Sequence, residues 1–133
     1  MQTEETRALV QTYYDTLPTG DREKLASLFA DDVEWIPPET APFEPVRGAA
    51  AVARQLGGAL VKAVFDMKTF RIEIHRLLAD GDTAVVQQSL SAKTLDGESY
   101  QNEYCWVYTC REGRIARIVE YVDTWKAARV LKW

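Results

Sequence analysis

Apolar residues recur at helical spacing in the first half of the chain and alternate at strand spacing in the second. From Thr3 to about Leu17, Leu9, Tyr13 and Leu17 fall at i, i+4 and i+8, a single stripe of one helix. Pro18-Thr19-Gly20 breaks it, and Asp21 can cap a second helix that buries Leu25, Leu28 and Phe29. Asp31-Asp32 ends that helix, and Val33-Glu34-Trp35-Ile36 reads as a short strand. Residues 37–47 hold Pro37, Pro38, Pro42 and Pro45. Missing N–H donors and fixed φ exclude helix and central strand there, which leaves a stiff loop suited to lie over a cavity mouth. A third helix is expected from about Ala49 to Val61, with Val52, Leu56 and Leu60 on one face. Gly57-Gly58 weakens it or lets another backbone come close.

From Met67 onward, Asp80-Gly81, Asp96-Gly97 and Glu112-Gly113 are turn signals between stretches rich in Val, Ile, Thr, Tyr and Trp. They predict a meander of four antiparallel strands at about 67–78, 83–94, 99–111 and 114–124, with a short helix over 125–133. Helices first and an antiparallel sheet afterwards give an α+β fold with the helices on one sheet face.

The last hairpin carries the most information about chemistry. A two-residue Glu112-Gly113 turn sets Arg111 opposite Arg114, and carrying that register onward sets Cys105 opposite Glu120. One face then shows Glu103, Cys105, Val107, Thr109, Ala116, Ile118, Glu120 and Val122. The other shows Tyr104, Trp106, Tyr108, Ile115, Val119 and Tyr121. Two readings follow. In one, the aromatic face is the core and the glutamates meet water. In the other both faces are covered: helices enclose a pocket over the glutamate face, and a second subunit covers Tyr104, Trp106, Tyr108 and Tyr121.

Composition narrows the function. At 133 residues the chain fits one domain, and 47% hydrophobic with 27% charged residues is ordinary for a globular protein. A net charge of −4 argues against a dedicated nucleic-acid binder. No run approaches the roughly 20 apolar residues that span a bilayer. The acidic start lacks the positive region and apolar stretch of a secretory signal, so a cytoplasmic location is expected. Cys105 and Cys110 are five apart in one strand, unsuited to bridging each other, and with one histidine a zinc cage is not expected. No phosphate-binding or serine-elbow motif occurs, so no cofactor is expected.

Leu28-Phe29-Ala30-Asp31-Asp32-Val33-Glu34-Trp35, Arg47-Gly48 before the third helix, Leu77-Leu78-Ala79-Asp80-Gly81-Asp82, and Glu112-Gly113-Arg114-Ile115 running to Glu120-Tyr121-Val122-Asp123 together span nearly the whole chain. In their order and spacing the chain resembles the SnoaL-like branch of the nuclear transport factor 2-like superfamily. That group includes ketosteroid isomerases, limonene epoxide hydrolases, scytalone dehydratases and polyketide cyclases. The resemblance implies one domain over residues 1–133, a cone-like curved antiparallel sheet wrapped around three N-terminal helices, an apolar cavity, and dimerisation through the outer sheet face. It carries the ketosteroid isomerases' helix-one tyrosine onto Tyr13, while their base aspartate falls on Pro37 and their neutral aspartate on Cys105. The epoxide hydrolases' Asp-Arg-Asp set falls on Ser89, Gln87 and Glu120, and their water-holding residues on Trp35 and Pro37.

The residues themselves nominate Glu120. A carboxylate on an apolar wall near Ile118, Val122 and Val107 loses solvation, its pKa rises, and general acid–base work becomes possible; a glutamate paired with arginine or turned to water is the plain alternative. Tyr13 and Tyr14 offer phenol donors or are simply core tyrosines. Trp35 is a ligand wall or core packing. Gln87 and Ser89 orient a polar group if the Asp96-Gly97 loop turns them inward, which takes three residues rather than two. Glu103 is a cavity residue or an exposed rim, and Cys105 a thiol or a small buried apolar group. Dehydratase relatives use a histidine base, which makes His75 a second candidate; two-residue pairing at Asp80-Gly81 sets it outside. The expected function is a cofactor-free acid–base enzyme on a small hydrophobic ketone, polyketide or terpenoid-like molecule, of isomerase or cyclase type. Epoxide opening or dehydration is one alternative, and a non-catalytic ligand-binding or dimerisation module is another.

Overall fold

The computed structural model describes residues 1–133. Helix α1 (Thr3–Thr16) starts at Gln2, whose backbone N–H donates to Glu5 Oε1 at 3.3 Å. A single tight turn, Leu17–Thr19, ends it at Gly20. Helix α2 (Arg22–Ser27) is capped by Asp21, whose Oδ1 accepts from the Lys24 N–H at 3.0 Å. It is shorter than its apolar pattern suggests. Strand β1 (Phe29–Ile36) takes over at Phe29, so this residue is buried from a strand and not from a helix. The reason is tertiary: Phe29 pairs with Ile115 far along the chain.

After the proline-rich loop, strand β2 (Val46–Arg47) pairs with β1 at Glu34 and Trp35. The third helical stretch is α3 (Ala49–Arg54), a wide turn over Gln55–Ala59, and α4 (Leu60–Val64). Both glycines have a physical job here. Gly58 sits at φ 130°, where a side chain would be strained. A Cβ on Gly57 would meet Leu25 Cδ2 at 3.2 Å, a tight contact that the leucine side chain would have to relieve.

The remaining elements are β3 (Phe65–Asp80), β4 (Thr83–Thr94), β5 (Ser99–Arg111), β6 (Arg114–Val122) and α5 (Thr124–Leu131). The sheet is curved, six-stranded, in the order β2-β1-β6-β5-β4-β3, and not closed into a barrel. It is mixed rather than wholly antiparallel, because β1 runs parallel to β6. The fold is α+β with the N-terminal helices on its inner face. No helix is long and apolar enough to cross a membrane.

Register departs from expectation at one place. Arg111 faces Arg114 and Cys110 faces Ile115, but Thr109 faces Arg117, which leaves Ala116 as an extra residue. This bulge shifts every later pair by one and exchanges faces. Glu120 lies opposite Trp106, and Cys105 lies opposite Tyr121. The inner face therefore carries Tyr104, Trp106 and Tyr108 together with Ile118, Glu120 and Val122. The outer face carries Glu103, Cys105, Val107 and Thr109 with Arg117, Val119 and Tyr121. Of the aromatic stripe expected to meet a second subunit, only Tyr121 is on the outside, 58% exposed.

The core lies between the inner face and α1 to α3, built from Val10, Tyr13, Tyr14, Phe29, Val33, Trp35, Val52, Val86, Tyr108, Ile115 and Ile118. A second cluster holds Phe65, Leu90, Ala92 and Tyr100, with Val130 and Leu131 of α5 against it. Tyr14 and Tyr108 join α1 to the sheet through their hydroxyls, 2.6 Å apart in the buried interior. Tyr108→Phe leaves the Tyr14 hydroxyl unpaired and is expected to cost about 1–3 kcal/mol in urea unfolding. The Tyr14→Phe/Tyr108→Phe double variant is expected to cost less than the two single changes added together.

Candidate functional site

Glu120 enters the inner face from β6, one strand from Trp35 on β1. Trp35 Nε1–H donates to Glu120 Oε1 at 3.2 Å. Trp35 faces Ile118 across the parallel pair, and both are buried. Trp106 faces Glu120 from β5, and its ring stacks on that of Tyr104, with centroids 6.1 Å apart and planes 10° from parallel. The carboxyl is therefore set in an aromatic wall. The seven ion pairs of the structure all lie elsewhere, so no cation compensates it.

Burial pushes the Glu120 carboxyl from its ordinary 4.5 up to about 7, and the Trp35 hydrogen bond pulls partly the other way. Its charge also reaches Tyr13, Tyr100 and Tyr104, adding to the burial that already holds these phenols above their usual range. Near neutrality this carboxyl can both take and give a proton. Over the same end of the sheet, the proline loop lays Phe43 on Trp35 with centroids 6.4 Å apart, and Trp133 packs on Phe43 at 6.1 Å.

Trp35, Ile118, Tyr13 and Tyr14 share the inner side with Glu120. Both tyrosines are buried, Tyr14 is bonded to Tyr108, and their phenols are held far above the ordinary range chiefly by burial. His75, Gln87, Ser89, Glu103 and Cys105 are on the outer face. The Asp96-Gly97 connection has the three-residue form, with the Thr94 N–H donating to the Glu98 carbonyl at 2.8 Å. It does set Ser89 opposite Glu103 and Gln87 opposite Cys105. That whole row, however, points away from the helices, because β5 turns Tyr104, Trp106 and Tyr108 inward and strand alternation leaves Glu103 and Cys105 outside. His75 sits in a bulge of β3, between the pairs Ile74–Gln88 and Arg76–Gln87. Its Nε2 is 2.5 Å from Ser89 Oγ and 3.6 Å from Glu103 Oε1. A Ser-His-acid relay uses the two ring nitrogens separately; here one nitrogen faces both partners.

The residues that sequence reasoning left out of the site are Gln88, Tyr100, Asn102, Tyr104 and Trp106. Their alternation along β4 and β5 was visible; packing of the aromatic parity under the helices turned it inward, and the β6 bulge brought Glu120 to the same face. Asn102 Nδ2 donates to the Tyr100 hydroxyl at 2.8 Å and to the Asp123 carbonyl at 3.0 Å, and the Tyr100 and Tyr104 hydroxyls are 2.9 Å apart. A hollow of about 470 Å3 is lined by Ala30, Asp31, Asp32, Arg111, Glu112 and Arg114. It is charged and contains none of the candidate residues. No group of three or more His, Cys, Asp or Glu side chains is placed to hold a metal ion.

The family model for the SnoaL-like domain matches residues 10–118. The chain belongs to this SnoaL-like family. Among solved structures, a nuclear transport factor 2-like protein of Burkholderia xenovorans is 26% identical, with 98% of each chain covered and a TM-score of 0.79. A proposed ketosteroid isomerase of Kribbella flavida is 29% identical over 90% of this chain and 78% of its own, with a TM-score of 0.72. An LEH-like epoxide hydrolase of M. tuberculosis is 22% identical over 98% of this chain and 92% of its own, with a TM-score of 0.73, and shares the fold. No match was found among functionally curated proteins.

In this SnoaL-like protein the raised Glu120 pKa has a thermodynamic signature. The unfolded chain releases this proton near 4.5 and the folded chain near 7. Stability from this group is complete below about pH 4.5 and declines as pH rises to about 7, by about 3 kcal/mol. Glu120→Gln is expected to remove that slope. Urea unfolding should find the variant close to the parent at pH 4 and more stable than it at pH 8.

Proposed function

We propose that this protein is a cofactor-free acid–base enzyme acting on a small hydrophobic ketone, of isomerase or cyclase type, with Glu120 as the proton-transfer group. The observation that carries this reading is a carboxyl pushed to about 7 in an aromatic wall, with an indole N–H on one oxygen and no cation beside it. The likeness to the proposed ketosteroid isomerase adds support. In the simplest reaction, Glu120 as carboxylate takes a proton from the carbon between a ketone and a carbon–carbon double bond. The C–H bond breaks, the electron pair moves into the dienolate, and the negative charge settles on the ketone oxygen. The protonated Glu120 then returns the proton at the far carbon, which gives the conjugated ketone with no net oxidation. Trp35 keeps the carboxyl aimed at the inner face through both steps. Tyr13 and Tyr14 brace the wall behind it, since the Tyr14 hydroxyl is already engaged by Tyr108.

A bicyclic β,γ-unsaturated ketone tests this, followed by the ultraviolet absorbance of its conjugated product. Glu120→Gln is expected to lower kcat by about 100-fold or more while the fold is retained. For the parent, kcat/KM is expected to rise with pH and level off near 7, as the carboxylate forms. Undiminished turnover by the variant overturns the reading.

A second reading, a ligand-binding module without turnover, draws on the burial and mutual bonding of the tyrosines, which leave few free donors. Ketone binding without conversion favours it.

The outer face is proposed to pair two copies of the chain in the cytoplasm. Leu78, Val85, Val107, Val119 and Ile36 form one apolar row across five strands of that face. Leu78 is 57% exposed and Tyr121 58%. Sedimentation equilibrium is expected to give a dimer that Leu78→Glu weakens.

A further inference from the structure

Two polar atoms of the inner face are shut away from water and have no partner in the fold: Gln88 Oε1 and Trp106 Nε1. Gln88 is 3% exposed. The register brings them onto one wall. Val86 faces Trp106 and Gln88 faces Tyr104, so Gln88 and Trp106 are diagonal neighbours across β4 and β5. Trp106 also faces Glu120 across β6. The polar groups around them are committed elsewhere: Tyr104 to Tyr100, Asn102 to Tyr100 and Asp123, and Trp35 to Glu120.

A buried donor and a buried acceptor left unpaired are unfavourable, and native folds hold few of them. These two make complementary demands. An indole N–H only donates, and an amide oxygen only accepts. One ligand oxygen meets both demands if it carries a hydrogen. A ketone or ether oxygen accepts from Trp106 but leaves Gln88 unpaired, and a hydrocarbon satisfies neither. The stacked Tyr104 and Trp106 rings make the adjoining surface flat and apolar, a fit for a planar ring system.

We propose that Gln88 and Trp106 form a hydroxyl-recognition subsite beside Glu120, which selects phenolic or enolic ring compounds. Trp106 Nε1–H donates to the hydroxyl oxygen, and Gln88 Oε1 accepts the hydroxyl proton. This deepens the acid–base reading and rests on it only in naming the substrate: a ketone that also bears a ring hydroxyl or exists in enol form. Recognition itself is a binding property and is measured without turnover.

Calorimetric titration of the full chain with 2-naphthol and with 2-methoxynaphthalene, which keeps the oxygen and loses its hydrogen, tests the proposal. The naphthol is expected to bind at least about tenfold more tightly. Gln88→Leu is expected to bring the ratio close to one while binding of the methoxy compound is unchanged. It replaces an unpaired amide with an apolar group of similar size, so without ligand it is expected to melt no lower than the parent. Trp106→Phe is an independent arm and is expected to weaken both compounds. Equal affinity of the parent for the two compounds overturns the subsite, as does failure of both to bind, or a naphthol preference that survives Gln88→Leu. Glu120→Gln is expected to keep the preference. Loss of turnover in that variant with no hydroxyl preference in the parent removes the subsite and leaves the acid–base reading standing. A hydroxyl preference with full turnover in the variant does the reverse.

Discussion

Ala116 has no partner across β5, and the site depends on that one unpaired residue. Side chains of a strand alternate faces, so a single insertion in the ladder turns every later residue over. Ile115 and Ile118, three apart, both point to the helices because Ala116 lies between them. Without the bulge, Arg117, Val119 and Tyr121 would enter the interior and Glu120 would turn to the outer face. With it, β6 presents Ile118, Glu120 and Val122 to the aromatic stripe of β5. β1 runs parallel to this same strand and delivers Trp35 beside Ile118, within hydrogen-bonding reach of the carboxyl two residues further on. The bulge and the parallel pairing of β1 together build the site.

A carboxyl in an aromatic wall is an unfavourable arrangement that the fold sustains. Nothing positively charged offsets it, and the one hydrogen bond from Trp35 does not restore the ordinary pKa. A fold selected only for stability would place a leucine or glutamine there. Perturbed titratable groups with a physical cause concentrate at working sites, and the two unpaired atoms nearby, Gln88 Oε1 and Trp106 Nε1, follow the same logic. Polar groups left incomplete on one wall of an otherwise packed interior point to something outside the chain that completes them. The outer face differs in kind. His75 reaches both Ser89 and Glu103 there, but His75 and Glu103 are exposed and the geometry gives no relay.

Much of the architecture was legible in the sequence because its signals are local. Turn residues at Asp80-Gly81, Asp96-Gly97 and Glu112-Gly113 placed the strand ends, and β4 and β5 run over the residues their alternation predicts. Where elements differ, a distant partner decided. Phe29 fits the apolar face of α2 by spacing but becomes strand through pairing with Ile115, and Val46–Arg47 leaves the proline loop because β1 offers its edge. The glycines at 57 and 58 were visible as a weak point in a helix, while Leu25, the side chain packed closest against Gly57, lies on another element.

By itself, the amino-acid sequence determined most of the order and type of the elements, the family resemblance, and the presence of a carboxylate, Glu120, among apolar residues of the last hairpin, since each is written in nearby residues. Only the tertiary structure decided which neighbours that carboxylate meets. A bulge costs one residue and leaves no mark in an alternating pattern, and its position follows from the simultaneous pairing of β6 with β5 on one side and β1 on the other. Gln88 fell inside and Gln87 and Ser89 outside because β4 pairs in unbroken register with β5, whose aromatic parity packs under the helices, although all three stand within three consecutive positions of one strand.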